Sequence, residues 1–296
     1  MVNRYKYIGI LGVVLLMLGC DRVDLKGFVV PTGDVVNRRF EQSFELQGGE
    51  SVATVVTPEE YLIYVCTDPH IADTTHNLEA FVSALRSDPS ASFGISLGDC
   101  IDKIGSMPLY AEAIAAKDPA HDVPIFSVLG NHDTYFSQWE KFREHLGPSV
   151  YWFEVAHPQG KDLFLSLDTA NGTLGSLQTA WLRDFLPRHR EEYRHCIIVT
   201  HSNIFYTDNS QNTSGNLPLE ETMALLELFT KCRVTLCLQG HDHHREDLTF
   251  GGVRYTIVGT LRDEATDPEY LRITIRKEGM EYEWMGIQNS KFKIQN

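Results

Sequence analysis

The sequence predicts an α/β fold, and three observations carry that prediction. Apolar runs of five to seven residues recur from position 61 onward, most followed by a polar turn and a segment with helical periodicity. Past residue 245 the helical pattern stops and strand-like stretches follow one another. Of the 296 residues 43% are hydrophobic and 22% charged, an ordinary globular composition that allows a sizeable core.

Taken in order, the first 20 residues stand apart. Arg4 and Lys6 precede "IGILGVVLLMLG", a run too short to span a bilayer comfortably but suited to the core of a signal peptide. It ends in "LMLGC", which resembles a bacterial lipoprotein signal, in which cleavage leaves a lipidated amino-terminal cysteine, here Cys20. A plain secretory signal or an uncleaved anchor is the alternative. The expectation is an exported lipoprotein held on a bacterial envelope membrane through Cys20, or else a secreted or periplasmic soluble protein. Residues 21–60 read as a tether with an N-terminal strand, the alternation in "RFEQSFEL" (Arg39–Leu46) marking an edge strand. Residues 61–288 form the main domain and 289–296 a C-terminal tail.

Within that domain strands are expected at "YLIYVC", "FGISL", "VPIFSVL", "DLFLSL", "CIIVT" and "VTLCLQ". Helices are expected at "LEAFVSALR", "YAEAIAAK", "SLQTAWLRDFL" and "LEETMALLELF", with another near "SQWE" (Ser137–Glu140), which fits a capping box. "EDLTFGG", "VRYTIVG", "YLRITIRK" and "EYEWMG" read as antiparallel strands. The polar stretch Ser202–Asn216 is too long for a simple connector. Of six cysteines, Cys20 is claimed by the lipid; the odd remainder makes no complete disulfide framework, and Cys66, Cys196 and Cys237 read as small core residues. A formal charge of -14 works against a sequence-independent grip on nucleic acid and against anionic membrane surfaces, both of which attract Lys and Arg.

The chemistry lies at the carboxyl ends of the apolar runs. "YLIYVCT" is followed by Asp68-Pro69-His70, "FGISL" by Gly98-Asp99, and "VPIFSVL" by Gly130-Asn131-His132-Asp133. "CIIVT" is followed by His201 and "VTLCLQ" by Gly240-His241-Asp242-His243. Each piece alone has a plain reading as a turn or a satisfied polar group. Together, one strand end after another, they fall where open α/β sheets place ligands.

In this order the blocks resemble the pattern of the calcineurin-like metallophosphoesterase family: Asp-x-His, Gly-Asp, Gly-Asn-His-Asp/Glu, a later His and Gly-His-x-His, here spanning residues 68–243. The resemblance implies an α/β fold of four layers, αββα, in which two mixed sheets packed face to face are flanked by helices. It implies one metal at Asp68, His70, Asp99 and His243 and a second at Asp99, Asn131, His201 and His241, with Asp99 bridging. It further implies His132 as proton donor to the leaving group and Asp102, in "GDCID", as the carboxylate that orients it. Asp133 is expected to support the ligands or cap a helix.

Imidazole and carboxylate together suit divalent Mn, Fe, Zn, Co or Ni better than Ca, and the sequence does not choose among them. Two such ions can share a hydroxide, lower its pKa and clamp a phosphoryl group, so water is the nucleophile and no Ser or Cys is needed. Their four positive charges exceed the three negative ones of Asp68, Asp99 and a hydroxide; Asn131 supplies an oxygen without cancelling the remainder. The implied activity is hydrolysis of a small-molecule phosphodiester or phosphomonoester. The diester is slightly favoured, because the Asp form of GNHD is similar to that of cyclic-nucleotide phosphodiesterase members of the family. Purple acid phosphatases resemble the pattern with a Tyr in Gly-Asp-x-x-Tyr and without the first His, positions where Asp102 and His70 stand here. Ser202–Asn216, directly after His201, is a candidate pocket wall with Asn203 and Tyr206 as contacts. The rival reading is a non-catalytic metal-binding surface lipoprotein, whose mark would be a lost ligand or proton donor. His76, His121, His145, His157, His189, His195 and His244 are expected at the surface or at helix ends.

Overall fold

The computed structural model describes residues 32–115, 123–205 and 217–287. The signal-like segment with Cys20, the C-terminal tail, His121 and most of Ser202–Asn216, Tyr206 included, lie outside the described residues.

Two mixed sheets stack face to face. One runs β1 (Thr54–Val56), β5 (Tyr151–His157), β6 (Gly160–Leu167), β7 (Cys196–Thr200), β8 (Leu236–Gln239), β10 (Val253–Ile257) and β9 (Glu246–Phe250). The other runs β12 (Gly279–Gly286), β11 (Glu269–Arg276), β2 (Tyr61–Cys66), β3 (Ala91–Ser96) and β4 (Ile125–Ser127). The strands β2, β3 and β4 are mutually parallel, as are β6, β7, β8 and β10. Within each block the carboxyl ends therefore share one edge. The strand β2 shows why these runs are apolar throughout: Tyr61, Ile63 and Val65 face the other sheet, while Leu62, Tyr64 and Cys66 face helices.

The helices complete four layers. On the seven-stranded sheet lie α1 (Thr32–Gln47), α5 (Gly175–His189) and α6 (Leu219–Lys231), with Phe44, Leu182, Phe185 and Phe229 in their shared core. On the five-stranded sheet lie α2 (His76–Ser87), α3 (Met107–Ile114) and α4 (Trp139–Leu146), with Phe81, Tyr110 and Phe142. Between the sheets Phe126 stacks on Phe153 at 3.8 Å between ring centroids and Phe153 on Phe164 at 4.9 Å. Phe93 meets Phe153 and Phe164 edge-on at 5.4 and 5.2 Å.

Several expectations are corrected. Arg39–Leu46 is part of helix α1, not an edge strand: buried Val36, Arg39 and Ser43 recur at helical spacing. Polarity hides that stripe, since Arg39 pairs bidentately with Asp168 at 2.7 and 2.9 Å and Ser43 Oγ accepts from the Ser149 N–H at 3.0 Å. The N-terminal edge strand is Thr54–Val56 instead. Ser137 makes no capping box; its φ of 67° is left-handed, and α4 starts at Trp139 behind Gln138 without a side-chain cap bond. The strand β5 was not expected. His157 and His195 are buried, His195 with Nε2 2.7 Å from the Arg276 carbonyl and His157 with Nε2 3.7 Å from Asp162 Oδ1. The cysteines among the described residues are all free and buried. Among the described residues no helix is long and apolar enough to cross a membrane.

Candidate metal centre

Both sheets deliver polar side chains to one edge. The turns after β2, β3 and β4 carry Asp68 and His70, Asp99 and Asp102, and Asn131 and His132; those after β7 and β8 carry His201 and then His241 and His243. Backbone bonds stitch the turns together: Asp68 N–H donates to Gly98 O at 3.1 Å, His70 N–H to Asp99 O at 3.0 Å, and Gly240 N–H to His201 O at 2.9 Å. Buried Asp133 accepts from the N–H groups of Gly130 at 2.9 Å and Ile101 at 3.2 Å, clasping two of the turns rather than capping α4. Only glycine fits at position 130, where a Cβ would lie 2.1 Å from Asp99 N. Asp68, His70, Asp99, His241 and His243 all hold left-handed φ angles, of 51°, 46°, 49°, 74° and 61°. Such strain persists where the surroundings over-determine it, and it concentrates at functional sites.

The side chains converge in two clusters that meet at Asp99. Asp68, His70 and His243 offer ligand atoms within 4.8 Å of one another, and so do Asp99, His201 and His241. Asp99 turns Oδ2 toward His70 Nε2 at 3.5 Å and Oδ1 toward His201 Nε2 at 3.3 Å. Asn131 brings Oδ1 to 3.0 Å from His201 Nε2, while its Nδ2 donates to the Tyr135 hydroxyl at 2.8 Å, which fixes the amide with its oxygen inward. His201 Nδ1 donates to the Leu97 carbonyl at 2.9 Å, directing Nε2 into the cluster. There Nε2 lies 3.1 Å from His241 Nδ1; in the other cluster His70 Nε2 lies 3.1 Å from His243 Nε2. Asp68 Oδ2 accepts from Thr67 Oγ1 at 2.6 Å and His241 N–H at 2.9 Å, but buried Asp68 Oδ1 has no hydrogen-bond partner among the described residues, His243 Nε2 and His70 Nε2 facing it at 3.3 and 3.5 Å. Converging lone pairs with an orphaned carboxylate oxygen form a donor set of the kind a divalent cation satisfies.

The electrostatics agree. Burial opposes charge on His201 and His70, yet Asp99 beside His201, and Asp102, Asp68 and Asp99 beside His70, push the two imidazoles up to about 10 and about 9. Burial, reinforced by His201, pushes His241 down to about 4. Against burial, the neighbouring imidazoles hold Asp68 and Asp99 well below the ordinary carboxylate range. The field that draws protons onto these rings favours a cation in their place. Beside the clusters Asp102 Oδ1 lies 2.9 Å from His132 Nδ1 and 3.7 Å from His70 Nδ1. The His132 and Asp102 side chains are 26% and 23% exposed, which puts this pair at the mouth of the site.

The sequence profile of the calcineurin-like phosphoesterase family matches residues 61–245. The chain belongs to that family. Solved structures share its fold. A dimetal phosphatase from Danio rerio is 15% identical with a TM-score of 0.61, over 78% of this chain and 97% of the other. GAP50, described as the anchor in the inner membrane complex of Plasmodium, is 15% identical with a TM-score of 0.58, over 77% and 84%. A purple acid phosphatase from yellow lupin is 13% identical with a TM-score of 0.59, over 78% and 52%. No curated protein sequence matches the chain.

In this calcineurin-like phosphoesterase the candidate ligands and the His132–Asp102 pair all meet at one edge of the sandwich. Asn203 does not join them as an open contact: it is fully buried and neither amide atom is hydrogen-bonded among the described residues. Three supporting side chains escaped the sequence reading. Thr67 precedes Asp68 and Tyr135 follows Asn131 by four residues, local spacings that point to contact; Thr260, whose Oγ1 donates to the Asp68 carbonyl at 2.8 Å, has no local signal.

Proposed function

We propose that this calcineurin-like phosphoesterase hydrolyses phosphoesters at a dinuclear divalent metal centre. Asp68, His70, Asp99 and His243 hold one ion, and Asp99, Asn131, His201 and His241 the other. The observation that carries this reading is Asp99, one carboxylate with an oxygen turned toward each donor cluster at 3.5 and 3.3 Å. Bound there, two ions drawn from Mn, Fe, Zn, Co or Ni would supply Lewis acidity and a water-derived nucleophile near neutral pH. The chain's own residues do the rest. Asp102 holds His132 by Nδ1, leaving Nε2, 3.9 Å from Asp99 Oδ2, to protonate the leaving oxygen. Tyr135 keeps the Asn131 amide from turning, and the buried ligands exclude bulk water.

The favoured substrate is a small phosphodiester, with a phosphomonoester next. GAP50's description as an anchor brings in a second reading, a metal-binding protein without turnover; the intact His132–Asp102 pair weighs against it. From the N-terminal pattern we also infer export and anchoring through lipid on Cys20, with a soluble exported form as the alternative. Loss of palmitate labelling in Cys20→Ser tests that anchoring.

The catalytic test uses the chain from residue 21, loaded with Mn²⁺ or chelated, on bis(4-nitrophenyl) phosphate beside 4-nitrophenyl phosphate. The expected result is two ions per chain and turnover that chelation abolishes, with the diester faster. Turnover that survives chelation would overturn the metal reading. Two ions without turnover of any ester would favour the binding role. His132→Ala should retain both ions while slowing esters with poor leaving groups by about 100-fold or more. Equal losses on nitrophenyl and alkyl esters would remove the proton-donor role.

A further inference from the structure

The loop between β10 and β11 carries a cation that no sequence motif marks. The loop is pinned to the site: Thr260 Oγ1 donates to Asp68 O at 2.8 Å, and Leu261 N–H donates to Thr67 O at 3.0 Å. Arg262 N–H donates to Thr260 Oγ1 at 3.1 Å, and Asn77 Nδ2 donates to Arg262 O at 2.7 Å. The next residue, Asp263, accepts from the N–H groups of His76 and Asn77 at the start of α2, at 3.2 and 2.8 Å. The Arg262 side chain is 34% exposed, and its Nη2 reaches to 3.7 Å from Asp102 Oδ2. Among the described residues it makes no shorter polar contact. By comparison, Lys103 on the neighbouring turn is paired with Asp73 at 2.5 Å.

Asp102 therefore stands between two groups, with Oδ1 on His132 and Oδ2 toward Arg262. A guanidinium carries five donors in a rigid fork that matches carboxylate or phosphate oxygens, and one long contact leaves most of that capacity unused. In a chain of net charge -14, an under-engaged guanidinium carried on a pinned backbone at the mouth of the site is a local exception.

We propose that Arg262 is a specificity residue that binds an anionic substituent on the leaving group of the ester. This rests on the reading of His132 as proton donor to that group, since Arg262 lies on the His132 side of the site. The preferred substrates are then phosphoesters whose leaving group carries a second anion, either carboxylate or phosphate.

The test compares 3-carboxyphenyl, 3-phosphonophenyl and phenyl phosphate on the metal-loaded enzyme, wild type beside Arg262→Ala. Wild type should prefer an anionic ester over phenyl phosphate in kcat/KM, and Arg262→Ala should reduce that preference by about tenfold or more. The arm with the larger change identifies carboxylate or phosphate as the anion. An unchanged preference overturns the proposal, whether or not all rates fall, because a common fall means that Arg262 acts only through Asp102. Should Arg262→Ala fail to fold, Arg262→Lys, which keeps the charge but loses the fork, should reduce the preference by a smaller factor. Calorimetric binding of 3-carboxyphenylphosphonate against phenylphosphonate, wild type beside variant, reads the same preference without turnover. The proposal can thus stand or fall even if neither ester is hydrolysed.

Discussion

The two donor clusters share Asp99 but are walled differently. Asp99, His201 and His241 are all buried, and the outer nitrogen of His201 is clamped by the Leu97 carbonyl at 2.9 Å. In the other cluster Asp68 and His70 are buried, but the His243 side chain is 23% exposed and His70 Nδ1 has no hydrogen-bond partner among the described residues, Asp102 Oδ1 lying 3.7 Å away. The His132–Asp102 pair stands beside this more open cluster, the His70 and His132 ring centroids 4.5 Å apart. Closed, clamped donor sets retain their ions, whereas open ones exchange ions and admit substrate. On the proposed dinuclear reading, the first cluster would hold its ion and the second would meet substrate.

The strongest test of that contrast is its shared member. Asp99→Ala should empty both clusters and lower kcat/KM by at least about 1000-fold, the scale of the Lewis-acid contribution. Two retained ions would show that the clusters do not depend on one carboxylate. Next, His201→Ala should weaken the tighter ion by more than about 100-fold, beyond the usual effect of an outer partner, while His243→Ala leaves that ion in place through dialysis. Metal analysis showing the opposite order would reverse the contrast.

Charge sharpens it further. Asn131→Asp should lower kcat/KM by at least about tenfold, about 1.4 kcal/mol, because an added carboxylate cancels the centre's residual positive charge. Unchanged kinetics at full occupancy would remove that role for the amide. The mildest effect is on pH. With His201 held up to about 10 and His70 up to about 9, both rings carry protons near pH 7 after chelation, and an entering ion must expel them. Affinity should therefore rise with pH toward those values, by about tenfold per pH unit for each proton released, and fall as pH drops. An indicator dye should register protons released as Mn²⁺ is added to unbuffered protein; none released would contradict the assignment.

The convergence at the candidate site was largely legible in the sequence because each candidate ligand follows its strand within a few residues, so a local pattern records a tertiary convergence. Helix α1 was illegible for the converse reason. Its buried stripe includes Arg39 and Ser43, whose partners Asp168 and Ser149 lie more than a hundred positions away, so a hydrophobicity pattern passes over it. Ser137 has the residue type for a cap but a left-handed backbone, which sequence spacing does not reveal. Thr260 and Arg262 reach Asp68 and Asp102 from far along the chain, and nothing beside them announces it.

The phenylalanines between the sheets acquire a second meaning from the origin of the ligands. Asp68, Asp99 and Asn131 ride on one sheet, and His201, His241 and His243 on the other, so the gap between sheets is also the calliper that sets how far apart the donors stand. Phe126 on Phe153, and Phe93 against Phe164, are the shims in that gap. Packed interiors transmit a missing volume as displacement. A substitution deep in this aromatic layer, touching no candidate ligand, would therefore detune the proposed metal centre by changing its gauge.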